Sequence, residues 1–283
     1  MCLILFAWQS HPDYSLVVAA NRDEFYERDT QSMAWWPNHS HIAAGKDCAD
    51  VLGSPGTWLG FSKRGRFAAL TNVRAPTEKR PDARTRGELP LLYLTSQEGP
   101  HEFIQSHAKE FDQYNGFNLL MSDFGNPKKP EMHWVSNRLM MGARIRPRKI
   151  FPRQPLDPGV YGLSNAMLDT PWPKVNHRVA AFAQTLAMDH GDLKSVDRYL
   201  NLLADTHQAN EQELPSTGVS KEWEKALSPA FIKTPTYGTR SSTVLRVRRD
   251  GRFEIVERRF DAHGTTGHDV LTGQMITGAD LHL

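Results

Sequence analysis

Two unbroken apolar runs at the start of the chain constrain its fold more than any other feature of the sequence. Cys2–Trp8 and Leu16–Ala20 are each of strand length, and Pro12-Asp13 between them is typical of a turn. Neither run alternates between polar and apolar residues, so both faces of each strand are expected to be covered. The sequence therefore begins with a buried hairpin that needs other layers of structure packed against it.

The rest of the chain is predicted to form further hairpins with helices grouped between them. The predicted strands are 56–61, 67–72, 117–122, 132–136, 159–163, 237–248 and 252–260. Helices are predicted from near Leu89, over 102–111, and where apolar residues recur at helical spacing, at Val179, Phe182 and Leu186 and at Val196, Leu200 and Leu203. Antiparallel strands with helices on the outside predict an α+β fold of layered sheets.

Three segments have no such pattern. Residues 26–55 are interpreted as a long loop packed by its aromatic side chains, and 208–218 as a mobile or disordered loop. The tail 261–283 is rich in Gly and Thr and is poorly patterned. No internal repeat or composition shift marks a boundary, so residues 1–283 are predicted to form a single domain.

Composition excludes several classes of protein. The 34 basic and 32 acidic residues leave a net charge of +2, which predicts no strong attraction to nucleic acid. Only two cysteines are present, so a disulfide framework is not expected. No basic residue precedes Arg22 and no apolar run approaches 18 residues, so neither a signal peptide nor a membrane span is predicted. These features predict a soluble cytoplasmic protein, and they indicate no particular oligomeric state.

Common cofactor motifs are also absent. The 12 histidines form no His-Glu-x-x-His motif, and His39 and His41 in a loop are weak evidence for a metal site, so no metal is predicted. The glycine-rich loops that bind nucleotides and the Gly-x-Ser-x-Gly elbow of serine hydrolases do not occur.

Cys2 is the first candidate for chemistry. If Met1 is removed, this residue carries both a thiol and a free α-amine, whose ordinary pKa values are about 8.5 and about 7.7–8.0. One residue then supplies a nucleophile and a base. The alternative is that Cys2 is a small apolar residue at the head of a strand, as unpaired cysteines often are.

Several other polar residues follow apolar runs directly, and an acyl-transfer site needs such groups. The candidate catalytic residues are Cys2, Arg22, Asp23, Asn72, Asn165 and Arg240. A cation favours the thiolate, a carboxylate holds the amine, and amide side chains donate to the oxyanion. The alternatives are a surface ion pair, two turn-forming asparagines and an arginine on a solvated strand face.

A series of motifs along the chain resembles the NRDE family, also called the transport-and-Golgi-organisation protein 2 family. The motifs are Met1-Cys2, Asn21-Arg22-Asp23-Glu24, Ala44-Gly45-Lys46-Asp47, Gly56-Thr57-Trp58-Leu59-Gly60, Ala69-Leu70-Thr71-Asn72-Val73-Arg74, Arg86-Gly87-Glu88-Leu89, Gly162-Leu163-Ser164-Asn165-Ala166, Pro171-Trp172-Pro173-Lys174-Val175 and Tyr237-Gly238-Thr239-Arg240-Ser241-Ser242-Thr243-Val244. They run in the family's order from residue 1 to about residue 260.

That family resembles, more distantly, the N-terminal-nucleophile hydrolases, which implies a four-layer αββα sandwich. The nearest pattern is that of the bile-salt hydrolases and penicillin V acylases. By that resemblance Cys2 is the nucleophile and Asp23 holds its amine. Asn165 and Asn72 match the oxyanion side, and Arg240 matches a late arginine. The implied activity is that of an amidohydrolase or acyltransferase, with a small or lipid-like acyl substrate and no required cofactor.

One position departs from the acylase pattern. Those enzymes carry an arginine three residues before the aspartate, where this chain has Ala20, and Arg22 is instead adjacent to Asp23. Neighbours on a strand point to opposite faces, so both reach the thiol only if the strand has ended or bulged there.

The resemblance also implies a second function. Members of the family are associated with haem mobilisation, and in eukaryotes with secretory organisation and lipid handling. A haem carrier needs an apolar cleft and an axial ligand, for which His39, His41 and the Met140-Met141 pair are candidates. Haem is therefore the alternative bound ligand. A third alternative is a member that retains the fold and binds a partner without catalysis.

Overall fold

The computed structural model describes residues 2–48, 55–125, 130–141, 144–147 and 154–276. By their internal contacts they fall into two compact units. The first comprises residues 1–27, 74–77 and 158–272, and the second comprises 28–73, 78–157 and 273–283. Neither unit is a continuous segment, which is why the sequence contains no visible boundary between them.

The elements are numbered along the chain. The strands are β1 (Cys2–Trp8), β2 (Tyr14–Phe25), β3 (Thr30–Trp36), β4 (His39–Asp47), β5 (Leu59–Ser62), β6 (Arg66–Asn72), β7 (Phe117–Asp123), β8 (Glu131–Ser136), β9 (Arg138–Met141), β10 (Arg144–Pro147), β11 (Gly159–Leu163), β12 (Tyr237–Arg248), β13 (Arg252–Phe260) and β14 (Thr265–Gln274). The helices are α1 (Glu88–Thr95), α2 (Pro100–His107), α3 (Pro173–Ala187), α4 (Leu193–Leu203) and α5 (Lys221–Ala226).

The sheet of the first unit has the order β11-β1-β2-β12-β13-β14. The β1–β2 hairpin lies inside it, with antiparallel neighbours on both sides. Residues on both faces of β1 are buried, as its unbroken apolar run predicts. One face packs against α3 and α4 through Phe182, Leu186, Val196 and Leu200, which confirms the two predicted apolar helix faces.

Gly162 in β11 lets α3 approach the sheet closely. A Cβ atom at this position lies only 2.6 Å from Val179 Cγ2 and 2.7 Å from Val175 Cγ1, so any larger residue displaces the helix. The start of α3 and the end of β11 are thereby held together, and both contribute to the site described below.

The second unit contains the sheet β3-β4-β5-β6-β7-β8, in which every neighbouring pair is antiparallel. Helices α1 and α2 cover one face, where Tyr93, Leu94, Phe103 and Ile104 join the core. Strands β9 and β10 form a separate two-stranded sheet.

Two unpatterned segments contain regular structure that the sequence analysis did not predict. The interpretation of residues 26–55 as a loop is wrong, because β3 and β4 pair there as a hairpin with two register shifts. Those irregularities disturb the two-residue alternation by which a strand is recognised. In the tail after Asp261, Thr265–Gln274 forms strand β14 at the edge of its sheet, with a largely wet surface. Residues 208–218 include a short 3-10 helix, Glu211–Glu213.

Two antiparallel sheets, each with its own helices packed against it, confirm the predicted α+β class. Within the described residues, no helix is both long enough and apolar enough to cross a bilayer.

Candidate active site

The register of the first hairpin decides which side chains share a face with Cys2. Cys2 lies directly opposite Arg22, so their side chains lie on one face of the sheet. The next residue, Asp23, projects from the other face because β2 continues unbroken to Phe25. The irregularity is in the neighbouring strand β12, where the register shifts at Arg240. Arg22 and Asp23 thus flank Cys2 from opposite faces.

The main chain of Cys2 is held by the turn that follows β11. Its backbone N–H donates to Asn165 Oδ1 at 3.3 Å, and Ser164 Oγ donates to its carbonyl oxygen at 2.9 Å. Asn165 is fully buried and Ser164 nearly so. If Met1 is removed, the nitrogen held by Asn165 is the α-amine.

Burial raises the pKa of the Cys2 thiol, and the nearby Asp23 carboxylate raises it further. The positive charge of the chain's N-terminus is the largest effect that opposes this rise in pKa, followed by a hydrogen bond from the backbone N–H of Asp23 and the charge of Arg22. Because the net direction is upward, the resting group is a neutral thiol at physiological pH. A nucleophile of this kind needs a base during attack.

Asp23 is a buried carboxylate fixed by its strand neighbours. Thr239 Oγ1 donates to Asp23 Oδ1 at 2.7 Å, and the Tyr237 hydroxyl donates to the Asp23 carbonyl oxygen at 2.9 Å. Burial raises the pKa of Asp23, and the charge of Lys174 is the largest effect that opposes it.

Lys174 belongs to this site, although the sequence analysis did not select it. It is the second residue of α3, only 5% exposed, and its Nζ has no hydrogen-bond partner among the described residues. Burial lowers its pKa to about 8, while the charges of Asp23 and Cys2 act to raise it and that of Arg74 to lower it further. A sequence signal existed, because Lys174 lies in the motif Pro171–Val175, but lysine is normally a surface residue.

A second buried charge pair supports Asn165. Arg74 Nη1 lies 2.5 Å from Glu224 Oε2, with both side chains at most 5% exposed. The Arg74 guanidinium stacks over Trp172 at 4.7 Å, and its backbone N–H donates to the Asn165 carbonyl oxygen at 2.7 Å. Glu224 Oε1 accepts from the backbone N–H and the hydroxyl of Thr217 at 2.8 and 2.6 Å.

Of the remaining predicted residues, Arg240 lies near Arg22 in the first unit and Asn72 belongs to the second unit. Arg240 forms the register shift in β12, and its guanidinium donates to the carbonyl oxygens of Phe25 at 2.8 Å and Phe260 at 3.4 Å. Asn72 ends β6 in the second unit, opposite Phe117. The assignments of Arg240 to the nucleophile and of Asn72 to the oxyanion stay predictions.

The candidate haem ligands lie on two different sheets. His39 and His41 are on β4, with ring centroids 6.4 Å apart, and Met140 and Met141 are on β9. Burial lowers the pKa of His41, and the Arg64 and His39 charges lower it further. Among the described residues, no three His, Cys, Asp or Glu side chains lie close enough together to hold one metal ion.

The fold and the site together define a class of protein: an α+β protein whose first strand starts with a half-buried cysteine, flanked by an arginine, a carboxylate and a lysine that has no hydrogen-bond partner among the described residues. The chain belongs to the Transport and Golgi organisation 2 family, whose model matches residues 1–262. The predicted family is therefore confirmed over nearly the whole chain.

Relatives from several animals align over similar lengths. The Transport and Golgi organization 2 homologs of Mus musculus and Homo sapiens are each 34% identical over 269 residues, covering 91% of this chain and 92% of theirs. Transport and Golgi organization protein 2 of Drosophila melanogaster is 28% identical over 287 residues, covering 93% and 95%. Among solved structures, the C2A mutant of the conjugated bile acid hydrolase from Clostridium perfringens matches with a TM-score of 0.43 at 8% identity, covering 97% of each chain.

Proposed function

We propose that the protein is an N-terminal-cysteine amidohydrolase or acyltransferase that acts on a substrate with an apolar acyl group. The observation that carries this proposal is the hydrogen bond from the Cys2 nitrogen to Asn165 Oδ1, next to a buried thiol. In a processed chain the same contact would orient the α-amine of Cys2, whose lone pair must be directed at the thiol proton if the amine is to serve as base.

The reaction begins with removal of Met1. The Cys2 thiol then attacks the acyl carbon while its own α-amine accepts the thiol proton, which forms a tetrahedral intermediate with a negative oxygen. Collapse of the intermediate breaks the bond to the leaving amine, which takes up the proton from the α-ammonium. The product left on the protein is a thioester at Cys2. Attack by water completes hydrolysis, and attack by an amine or alcohol completes acyl transfer.

The raised pKa of the thiol agrees with this order of steps. A thiol that is mostly protonated at physiological pH must lose its proton during attack, so the rate depends on proton transfer to an adjacent base. The α-amine, with an ordinary pKa of about 7.7–8.0, is matched to that task. Asn165, whose Oδ1 holds this nitrogen, then orients the base, while its predicted role as an oxyanion donor stays a prediction.

Exposed aromatic residues beside the site support an apolar acyl group. Phe25 is 45% exposed and Trp223 41% exposed, and both make edge-to-face contacts with Tyr237, with ring centroids 5.1 and 6.1 Å apart. The hydroxyl of Tyr237 in turn bonds to the main chain of Asp23. Tyr237 also lies close enough to Cys2 for the two groups to interact electrostatically, so an apolar chain lying on these exposed aromatics would lead toward the site.

Replacing Trp223 with Ser is expected to raise KM for long-chain acyl substrates about tenfold, equivalent to ~1.4 kcal/mol of lost apolar contact. Short-chain substrates should be almost unaffected, since they do not reach this surface. Leu193→Ser is the matched control, because Leu193 is 69% exposed on α4. An equal effect on short and long chains contradicts the assignment of this surface.

The activity itself is tested with a series of N-acyl amino acids and acyl thioesters of increasing chain length. The processed protein is quenched in acid during turnover, and its Cys2 peptide is analysed by mass spectrometry for the thioester. Added amine acceptors distinguish a transferase, which forms a new amide, from a hydrolase, which releases the free acid. Absence of both turnover and thioester across the series contradicts the proposal.

A further inference from the structure

Lys174 occupies a position where a lysine costs stability. It lies in the first turn of α3, where the helix dipole disfavours a positive charge. Its side chain is 5% exposed, and no described residue accepts a hydrogen bond from its Nζ. A buried ammonium without hydrogen bonds is strongly unfavourable, and an apolar residue of similar volume is usually better tolerated. Stability therefore does not explain this lysine.

The charged groups that face Lys174 come from three neighbouring parts of the first unit. Asp23 of β2 and Cys2 of β1 favour its charge, whereas Arg74, on the segment after β6, opposes it. Arg74 is itself paired with Glu224. With a pKa of about 8, the amine is charged in most molecules at pH 7. The charge of this ammonium therefore acts on the site that contains the nucleophile, and no hydrogen bond to a described residue offsets it.

The proposed function gives this charge a use. The α-amine of a processed Cys2 must be neutral to accept the thiol proton, and its ordinary pKa leaves it largely charged at pH 7. A second cation nearby disfavours that charge and at the same time favours the thiolate. Asp23, which attracts both amines, cannot neutralise both of them.

We propose that Lys174 is a positioning residue of this site, whose ammonium keeps the Cys2 α-amine neutral and stabilises the thiolate during attack. This inference rests on the proposed function, because it assumes that Cys2 is the N-terminal residue and the nucleophile. The effect is largely present at pH 7, is about halved near pH 8 and is lost as the pH rises further, because Lys174 loses its proton over this range.

The test measures how fast iodoacetamide alkylates Cys2 of the processed protein from pH 6 to 10, by mass spectrometry of the Cys2 peptide. Lys174→Met is expected to slow alkylation at pH 7 about tenfold, and its difference from the wild type should shrink above pH 8, where Lys174 loses its proton. Lys174→Arg, which retains the charge, should restore the alkylation rate at pH 7. Lys194→Met is the matched control, because Lys194 is the exposed second residue of α4.

An alkylation profile of Lys174→Met that coincides with the wild type overturns the inference. If that variant does not fold, Lys174→Gln replaces it, since the amide keeps polarity and removes the charge. Alkylation needs no substrate, so the two proposals fail separately. An altered profile in a protein without acyl turnover removes only the proposed function, and turnover with an unaltered profile removes only the role of Lys174.

Discussion

A Cys2→Ala variant is expected to form no acyl adduct and to lose at least about 10³-fold in turnover, because no other group in the site replaces the nucleophile. Its fold should be unchanged. Cys2 is the first residue of β1 and retains some exposure, so removing the sulfur leaves no large cavity. Intact mass after incubation with an acyl thioester measures the adduct, and circular dichroism with thermal unfolding measures the fold.

Cys48→Ala is the matched control for this variant. Cys48 is the other cysteine and is also half-buried, and its sulfur donates to the Lys46 carbonyl oxygen at 3.9 Å. This control should acylate as fast as the wild type. Equal labelling of wild type and Cys2→Ala means that the acyl group resides elsewhere, and the assignment of Cys2 is then wrong.

The largest effect on stability is expected from Glu224→Gln. The change removes the charge that compensates Arg74, in a pair whose side chains are 5% and 3% exposed. Burial already lowers the pKa of Arg74, and the Glu224 carboxylate is the main influence that opposes it. An unpaired guanidinium in this environment is expected to cost about 3–5 kcal/mol of unfolding free energy. Urea unfolding measures the loss.

Asp250→Asn provides the comparison for a solvated pair. Asp250 Oδ2 and Arg252 Nη2 lie 2.6 Å apart, but the two side chains are 47% and 64% exposed. The unfolding free energy of this variant should therefore equal that of the wild type. Equal stability of Glu224→Gln and Asp250→Asn contradicts a structural role for the buried pair.

Glu224→Gln is also expected to slow acylation of Cys2 in the protein that remains folded. Arg74 donates its backbone N–H to the Asn165 carbonyl oxygen, and Asn165 holds the Cys2 nitrogen. A displacement of Arg74 is therefore transmitted to Cys2 through these two hydrogen bonds. The stability loss and the loss of activity should accompany one another in Glu224→Gln, whereas Lys174→Met should change reactivity without destabilising the fold.

Much of the fold could be predicted because its strands are local patterns. The runs that became β1, β2, β7 and β11 are continuous and apolar, and the final hairpin turn at Asp250-Gly251 is a strong signal. Strand β14 lacks such a pattern, because six of its ten residues are exposed and it lies at the edge of a sheet. Strands β3 and β4 were missed because register shifts interrupt their alternation.

The site was predictable only in part, for a different reason. Cys2, Arg22, Asp23 and Asn165 each end or begin an apolar run, and the structure brings them together in the first unit. Lys174 and Arg74 lie within family motifs, but nothing local shows that they or Glu224 are buried, since charged residues usually lie on the surface. Arg74 and Glu224 are 150 residues apart in the chain, so only the folded structure shows that they form a pair.

The mutual arrangement of Arg22 and Asp23 shows how register resolves what sequence alone leaves open. On the sequence alone, both residues could reach the thiol only if the strand ended or bulged at this point. Instead β2 is continuous and Arg22 shares the face of Cys2, while Asp23 reaches the sulfur through its backbone N–H. The carboxylate remains on the other face, where Thr239 and Lys174 act on it.

Intact mass and peptide sequencing of the protein isolated from cells, before and after exposure to an acyl thioester, test the central claim most directly. The account predicts that Met1 is absent, that the free N-terminal residue is Cys2, and that one acyl group is added at its sulfur. A chain that retains Met1 and carries no acyl group on Cys2 after exposure contradicts the account, because its only proposed base then lies on the wrong residue.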